Sequence, residues 1–144
     1  EWIYPGSTMA GLADRFDARL SAVGAYYDSL TDLQVAYAGA FLQAEEVTWA
    51  MPLVAGGRPG TLVIDPAVEN PQAVKFKAAQ RKGLFSGSFQ ALNEAGRTAT
   101  LKYAGVLTRK DNLYIGDGAY IEQRTVNGRR IKSSYRIWLD TPAP

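Results

Sequence analysis

The chain has 144 residues, 47% of them apolar, with 16 basic and 14 acidic side chains and neither cysteine nor histidine. That length suits one domain, and the apolar fraction suits a folded core rather than disorder. The missing residue types exclude disulfides, thiolate nucleophiles, zinc sites of the usual kind and the commonest general base.

No apolar run approaches the ~20 residues that a membrane-spanning helix needs, so no membrane span is expected. The charge is unevenly placed: residues 1–71 carry a net −6 and residues 72–144 a net +8. Such an asymmetry marks a polyanion-binding face where the cations converge. Spread along several strands, they read instead as two oppositely charged halves side by side. The chain begins at Glu1, without a Met or a leader-like segment, which reads as a processed form or an excised domain.

Residues 1–14 read as an irregular lead-in, with Pro5-Gly6 as a turn. Residues 12–30 carry two patterns. Leu12, Phe16, Leu20, Val23, Tyr27 and Leu30 fall at helical spacing, whereas Phe16, Ala18, Leu20, Ala22, Gly24 and Tyr26 alternate with polar residues. Gly24 disfavours a helix interior and Tyr26-Tyr27 favour a strand, so a strand over 15–27 is the preferred reading. A loop over Asp28–Asp32 then leads to a second strand, Leu33–Gln43, with Tyr37, Gly39 and Phe41 on one face. Glu45–Leu53 is extended, with Pro52 confining its end to an edge or exit. Ala55–Gly60 turns into a short β-branched strand at Thr61–Ile64. The loop around 65–71 joins two sequence halves of what reads as a single β domain over 1–144.

The second half is the clearer. Residues 73–79 alternate with Val74, Phe76 and Ala78 inward. The strand from Gly83 to Leu92 follows, its inner face carrying Phe85, Gly87, Phe89 and Ala91. Asn93–Arg97 is a hairpin loop, and the return strand turns Ala99, Leu101, Tyr103, Gly105 and Leu107 inward. Asn127-Gly128 is the strongest short hairpin signal in the chain. A two-residue loop there pairs Val126 with Arg129 and sets Tyr120 opposite Tyr135, Gly118 opposite Ile137, Gly116 opposite Leu139 and Asp117 opposite Trp138. Large residues facing glycines let a sheet bend. Val35–Phe41 also resembles Leu101–Leu107, a partial internal repeat. The prediction is all-β: a single antiparallel β-barrel or barrel-like sandwich of about 8–10 strands.

Asn70-Pro71, Val74, Gly83-Leu84-Phe85-Ser86-Gly87-Ser88-Phe89, Gly105-Val106-Leu107 and Gly118-Ala119-Tyr120 together resemble a glycine/aromatic β-module of large secreted or surface bacterial proteins. The likeness covers about half the chain and departs from the pattern where Lys82 replaces a threonine. It implies an extracellular or cell-surface location, neighbouring domains of a larger parent chain, and a structural or adhesive role without a known activity.

Little in the residues points to catalysis, and a non-enzymatic module is the expectation. Ser86-Gly87-Ser88 has neither the strand-to-helix setting nor the histidine of a nucleophile elbow. Gly116-Asp117-Gly118 after Asp111-Asn112 matches no calcium loop, and Gly56–Gly60 is no phosphate loop. No metal or cofactor is expected. Aromatics alternate away from the lysines, so nucleic acid is not an expected partner either. The candidate ligand-binding residues are Asp117, Arg136 and Trp138, a carboxylate, a guanidinium and an aromatic plane able to hold a sugar or polar ligand. The functional expectation is a non-catalytic structural or adhesion module whose partner is a glycan or surface polymer. The alternative is a barrel that holds a small molecule or saccharide.

Overall fold

The computed structural model describes residues 2–4, 16–18, 27, 32–93, 95–110 and 113–141. Among these, the chain forms one short α-helix, one 3-10 turn at Gln80–Lys82 and ten strands. β1 (Trp2–Tyr4) and β2 (Phe16–Ala18) make a separate antiparallel pair. The lead-in read as irregular thus contains a strand. Of the strand expected over 15–27, Phe16–Ala18 is present, and apart from Tyr27 the remainder lies outside the described residues.

Helix α1 (Leu33–Tyr37) is followed by β3 (Phe41–Ala44), β4 (Ala50–Ala55), β5 (Leu62–Ile64), β6 (Lys75–Ala79), β7 (Leu84–Leu92), β8 (Thr98–Lys110), β9 (Leu113–Val126) and β10 (Arg129–Asp140). The last eight strands form one antiparallel sheet in the order β5-β4-β3-β10-β9-β8-β7-β6. Its two edge strands, β5 and β6, lie against each other. The protein is all-β, a sheet curled into a nearly closed barrel, which leaves little open edge.

The register explains the curl. One inward row runs Phe76–Gly87–Tyr103–Tyr120–Tyr135 across β6 to β10. The next runs Ala78–Phe85–Gly105–Gly118–Ile137–Ala44, and the next Leu107–Gly116–Leu139–Leu42–Met51. Each row mixes glycine with large side chains, and the space above each inner glycine is taken by a neighbour. A Cβ on Gly87 would collide with the Tyr103 hydroxyl, one on Gly105 with the Phe85 ring, and one on Gly116 with Leu139. Phe85, Phe89, Tyr103, Leu107, Tyr120 and Ile137 are all buried. These residues fill the barrel from within, so the aromatics that face glycines form a core rather than the wall of a chamber. The Asn127-Gly128 turn has positive φ at both residues (50° and 74°), as a two-residue loop of this kind requires. The register that follows is the one expected, from Val126–Arg129 to Gly116–Leu139.

Leu33–Gln43 is not one strand. Asp32 caps a helix, its carboxylate accepting from Gln34 N at 2.9 Å, and Leu33 and Tyr37, one helical turn apart, are both fully buried. Gly39, at φ 81°, turns the chain into β3, so Tyr37, Gly39 and Phe41 share no strand face. The apparent repeat with 101–107 therefore has no structural counterpart. The helix sits across one end of the barrel. There the Tyr37 hydroxyl donates to the carbonyls of Thr108 and Ile115 at 3.2 Å, and Gln34 Nε2 donates to Gly56, Arg58 and Thr61 carbonyls. Pro52 lies inside β4, between β3 and β5. Its carbonyl accepts from Asp65 N at 2.9 Å, just past the last β4–β5 pair, so its missing N–H falls at the end of that short ladder.

Candidate functional site

Three surface features carry polar chemistry. The first is the expected one. Asp117 and Trp138 are cross-strand partners on β9 and β10, and Arg136 sits two residues before Trp138 on the same outer face. The structure brings all three together. Arg136 Nε donates to Asp117 Oδ1 at 3.0 Å and Nη2 to Oδ2 at 2.9 Å, a bidentate pair, and the guanidinium carbon lies 5.2 Å from the Trp138 ring centroid. Hydrogen bonding to Asp117 pushes the Arg136 guanidinium above its usual pKa. Both charged side chains are about half exposed. The outward row through this pair also carries exposed Leu84 and Val106. The arrangement presents an aromatic and aliphatic strip whose one carboxylate and one guanidinium already satisfy each other.

The second feature is a projecting ribbon. The β8–β9 ladder begins at Tyr103–Tyr120. Beyond it, residues 98–102 of β8 pair with β7, while 121–126 of β9 pair with β10 alone. Residues 121–134 therefore extend as a two-stranded hairpin, exposed throughout apart from half-buried Glu122 and Ser133. It bears Arg124, Arg129, Arg130 and Lys132 against one acid, Glu122, which pairs with Arg124 at 2.7 Å. Arg129, Arg130 and Lys132 have no ion-pair partner among the described residues. Four of the thirteen basic residues of 72–144 thus gather on this arm, two on each of its faces. Arg129-Arg130-Ile131-Lys132 directly after Asn127-Gly128 was the signal available in the sequence.

The third feature lies at the end of the barrel away from α1. A recess of about 380 Å³ is bounded by the Glu46–Trp49 connection, by Pro71 and Gln72, and by the end of β7 with Thr98 facing it. Trp49 packs edge-on against Phe89, ring centroids 5.2 Å apart. Phe89 in turn meets Tyr120 at 5.1 Å, and Tyr120 stacks on Tyr135 at 5.2 Å. No sequence motif pointed here, because the walls come from three separated segments.

Among the described residues, no group of histidine, cysteine, aspartate and glutamate could hold a metal ion, and no helix is long and apolar enough to cross a membrane. Comparison with protein-family models, curated proteins and solved structures finds no match to this chain.

Proposed function

We propose that this domain is a non-catalytic module of a secreted or cell-surface bacterial protein, adhering to an anionic surface polymer through the β9–β10 ribbon. The observation that carries the reading is the ribbon itself. A two-stranded hairpin that extends beyond its sheet is marginally stable on its own, and this one is exposed nearly throughout, with only the β7–β8 loop beside it along Glu122–Thr125. It nevertheless holds four cations over 14 residues on both of its faces. Barrel stability does not call for such an arm, whereas an electrostatic contact with a polyanion does. The ribbon carries no aromatic residue, so the stacking platform that single-stranded nucleic acid uses is missing from it. The resemblance to secreted and surface modules supports the location and the presence of neighbouring domains.

The test is binding of the purified domain to immobilised polyglucuronate and to poly(glycerol phosphate) over a range of salt concentrations. With three or four cations engaged, affinity falls steeply with salt, and Arg130→Ala lowers the log–log slope by about 1. The triple variant Arg129→Glu, Arg130→Glu, Lys132→Glu loses binding while melting like the parent. Binding that survives the triple reversal, or that salt does not weaken, overturns the reading.

A further inference from the structure

Among the described residues, the recess around Trp49 combines an aromatic side chain with unpaired polar groups. Its volume, about 380 Å³, falls in the lower part of the ~300–1,000 Å³ range of small-molecule sites. Its walls offer a half-buried indole, apolar patches from Val47, Pro71, Ala91 and Leu92, and a set of amides and hydroxyls from Thr48, Gln72, Gln90 and Thr98. Those four polar side chains make no hydrogen bond among the described residues. The indole Nε1 of Trp49 is buried and also lacks an acceptor there. A buried donor left unpaired is costly, so Trp49 is a point of local tension in the wall.

The walls are held in place. Tyr120 donates its hydroxyl to the Glu45 carbonyl at 2.6 Å, Arg136 N donates to Glu45 Oε2 at 2.7 Å, and Glu45 N donates to the Arg136 carbonyl at 2.9 Å. Glu46, next in the chain, adopts φ 59°, a conformation that disfavours any residue with a Cβ. Glu46 is exposed and is one of the residues that line the recess. On the other side, Asn70 closes the 70–74 loop by accepting from Val74 N at 2.7 Å and donating to the Val74 carbonyl at 2.9 Å. Gln90 N then ties that loop to β7 through the Gln72 carbonyl at 2.8 Å. Local strain held by surrounding hydrogen bonds beside an open recess is a feature of binding sites.

We propose that this recess binds one or two units of a neutral or amino saccharide. An indole face with aliphatic neighbours suits the C–H face of a pyranose. The amides and hydroxyls around it suit hydroxyl groups of either sense, donor or acceptor. Glu46 accepts a hydroxyl or ammonium proton and repels a uronate or sulfate. The site is distinct from the ribbon and takes ligands of the opposite charge preference.

The experiment is a titration of the full chain with triacetylchitotriose, maltotriose and trigalacturonate. It is followed by the three tryptophan indole N–H resonances, assigned with Trp49→Phe and Trp138→Phe. The expected result is a saturable shift of the Trp49 resonance with at least one neutral probe and none with trigalacturonate. Gln90→Ala and Thr98→Val, both at the rim, weaken that binding about tenfold. Trp138→Phe and the ribbon triple reversal leave it unchanged, so failure here and failure of the ribbon reading are distinguishable. The proposal is overturned if the Trp49 resonance does not move with either neutral probe at about 10 mM, well above a millimolar Kd. It is also overturned if trigalacturonate binds equally or if the rim variants bind like the parent.

Discussion

Replacing Gly118 by alanine tests the closeness of the barrel wall. Gly118 faces Gly105 across β8 and β9. A Cβ built on Gly118 runs into the Ala104 carbonyl oxygen, with Gly105 Cα at 2.6 Å and the Ala104 carbonyl carbon at 2.9 Å, all backbone. No rotamer change relieves that, so β8 and β9 must separate in mid-ladder. Gly116, two residues earlier on the same face, is the control. Its Cβ would first meet Leu139 Cγ at 2.6 Å and Cδ1 at 2.7 Å, which move with the side-chain torsions, and then Leu139 Cβ at 2.9 Å, which needs only a small backbone shift. Overpacking costs about 1–3 kcal/mol, and alanine recovers about 0.4–1 kcal/mol by restricting the unfolded chain. Gly118→Ala therefore belongs at or above the top of that range, about 3 kcal/mol, and Gly116→Ala nearer about 1 kcal/mol or less. An unfolding entropy of about 2.1 cal/mol/K per residue gives about 0.3 kcal/mol/K for a chain of this length. The two variants should then melt about 7 °C apart by far- and near-ultraviolet circular dichroism. If they melt within about 2 °C of each other, the close approach of β8 and β9, and the coil that rests on it, is wrong.

Two further outcomes are expected. Asp117→Asn removes a half-exposed ion pair and should lower stability by at most about 1 kcal/mol, with the difference disappearing in about 1 M salt; a larger or salt-independent loss would mean the pair is more deeply engaged than its exposure indicates. Burial pushes the Tyr120 hydroxyl up to about 12 and the Tyr37 and Tyr103 hydroxyls above even that. Between the unfolded-state pKa near 10 and these values the native state holds protons that the unfolded state has released. Stability is therefore fully present below about pH 10 and falls as pH rises towards 12. Absorbance titration should find these tyrosines ionising together with loss of near-ultraviolet dichroism, and ionisation of all eight tyrosines in a still-folded chain would refute the burial argument.

Much of the barrel was legible because it is written locally. An Asn-Gly turn dictates both positive-φ residues, and a period of two then carries the register outward from Val126–Arg129 to Gly116–Leu139 without reference to the rest of the chain. Tyr37-Ala38-Gly39-Ala40-Phe41 offered the same alternation, yet it folds as a helix end and a turn. The deciding information was the Asp32 cap and the burial of Leu33 together with Tyr37 against the barrel end, and only the first of these can be read from the chain itself.

The candidate sites divide along the same line. Trp138 drew attention because its register to Asp117 follows from a hairpin, but both oxygens of that carboxylate are already taken by Arg136. Trp49 stands four residues from Glu45 in a stretch with no motif, and its companions Gln72, Gln90 and Thr98 reach it only through sheet closure. Alternation along a strand reports which side chains fill the interior, because that choice repeats every second residue. Polar groups left free for a ligand are those the core did not need, and in a barrel they collect where separate connections meet at an open end. The contrast between the two tryptophans is therefore a physical one: at Trp138 the neighbouring charges are spent on each other, and at Trp49 the donors and acceptors remain unspent.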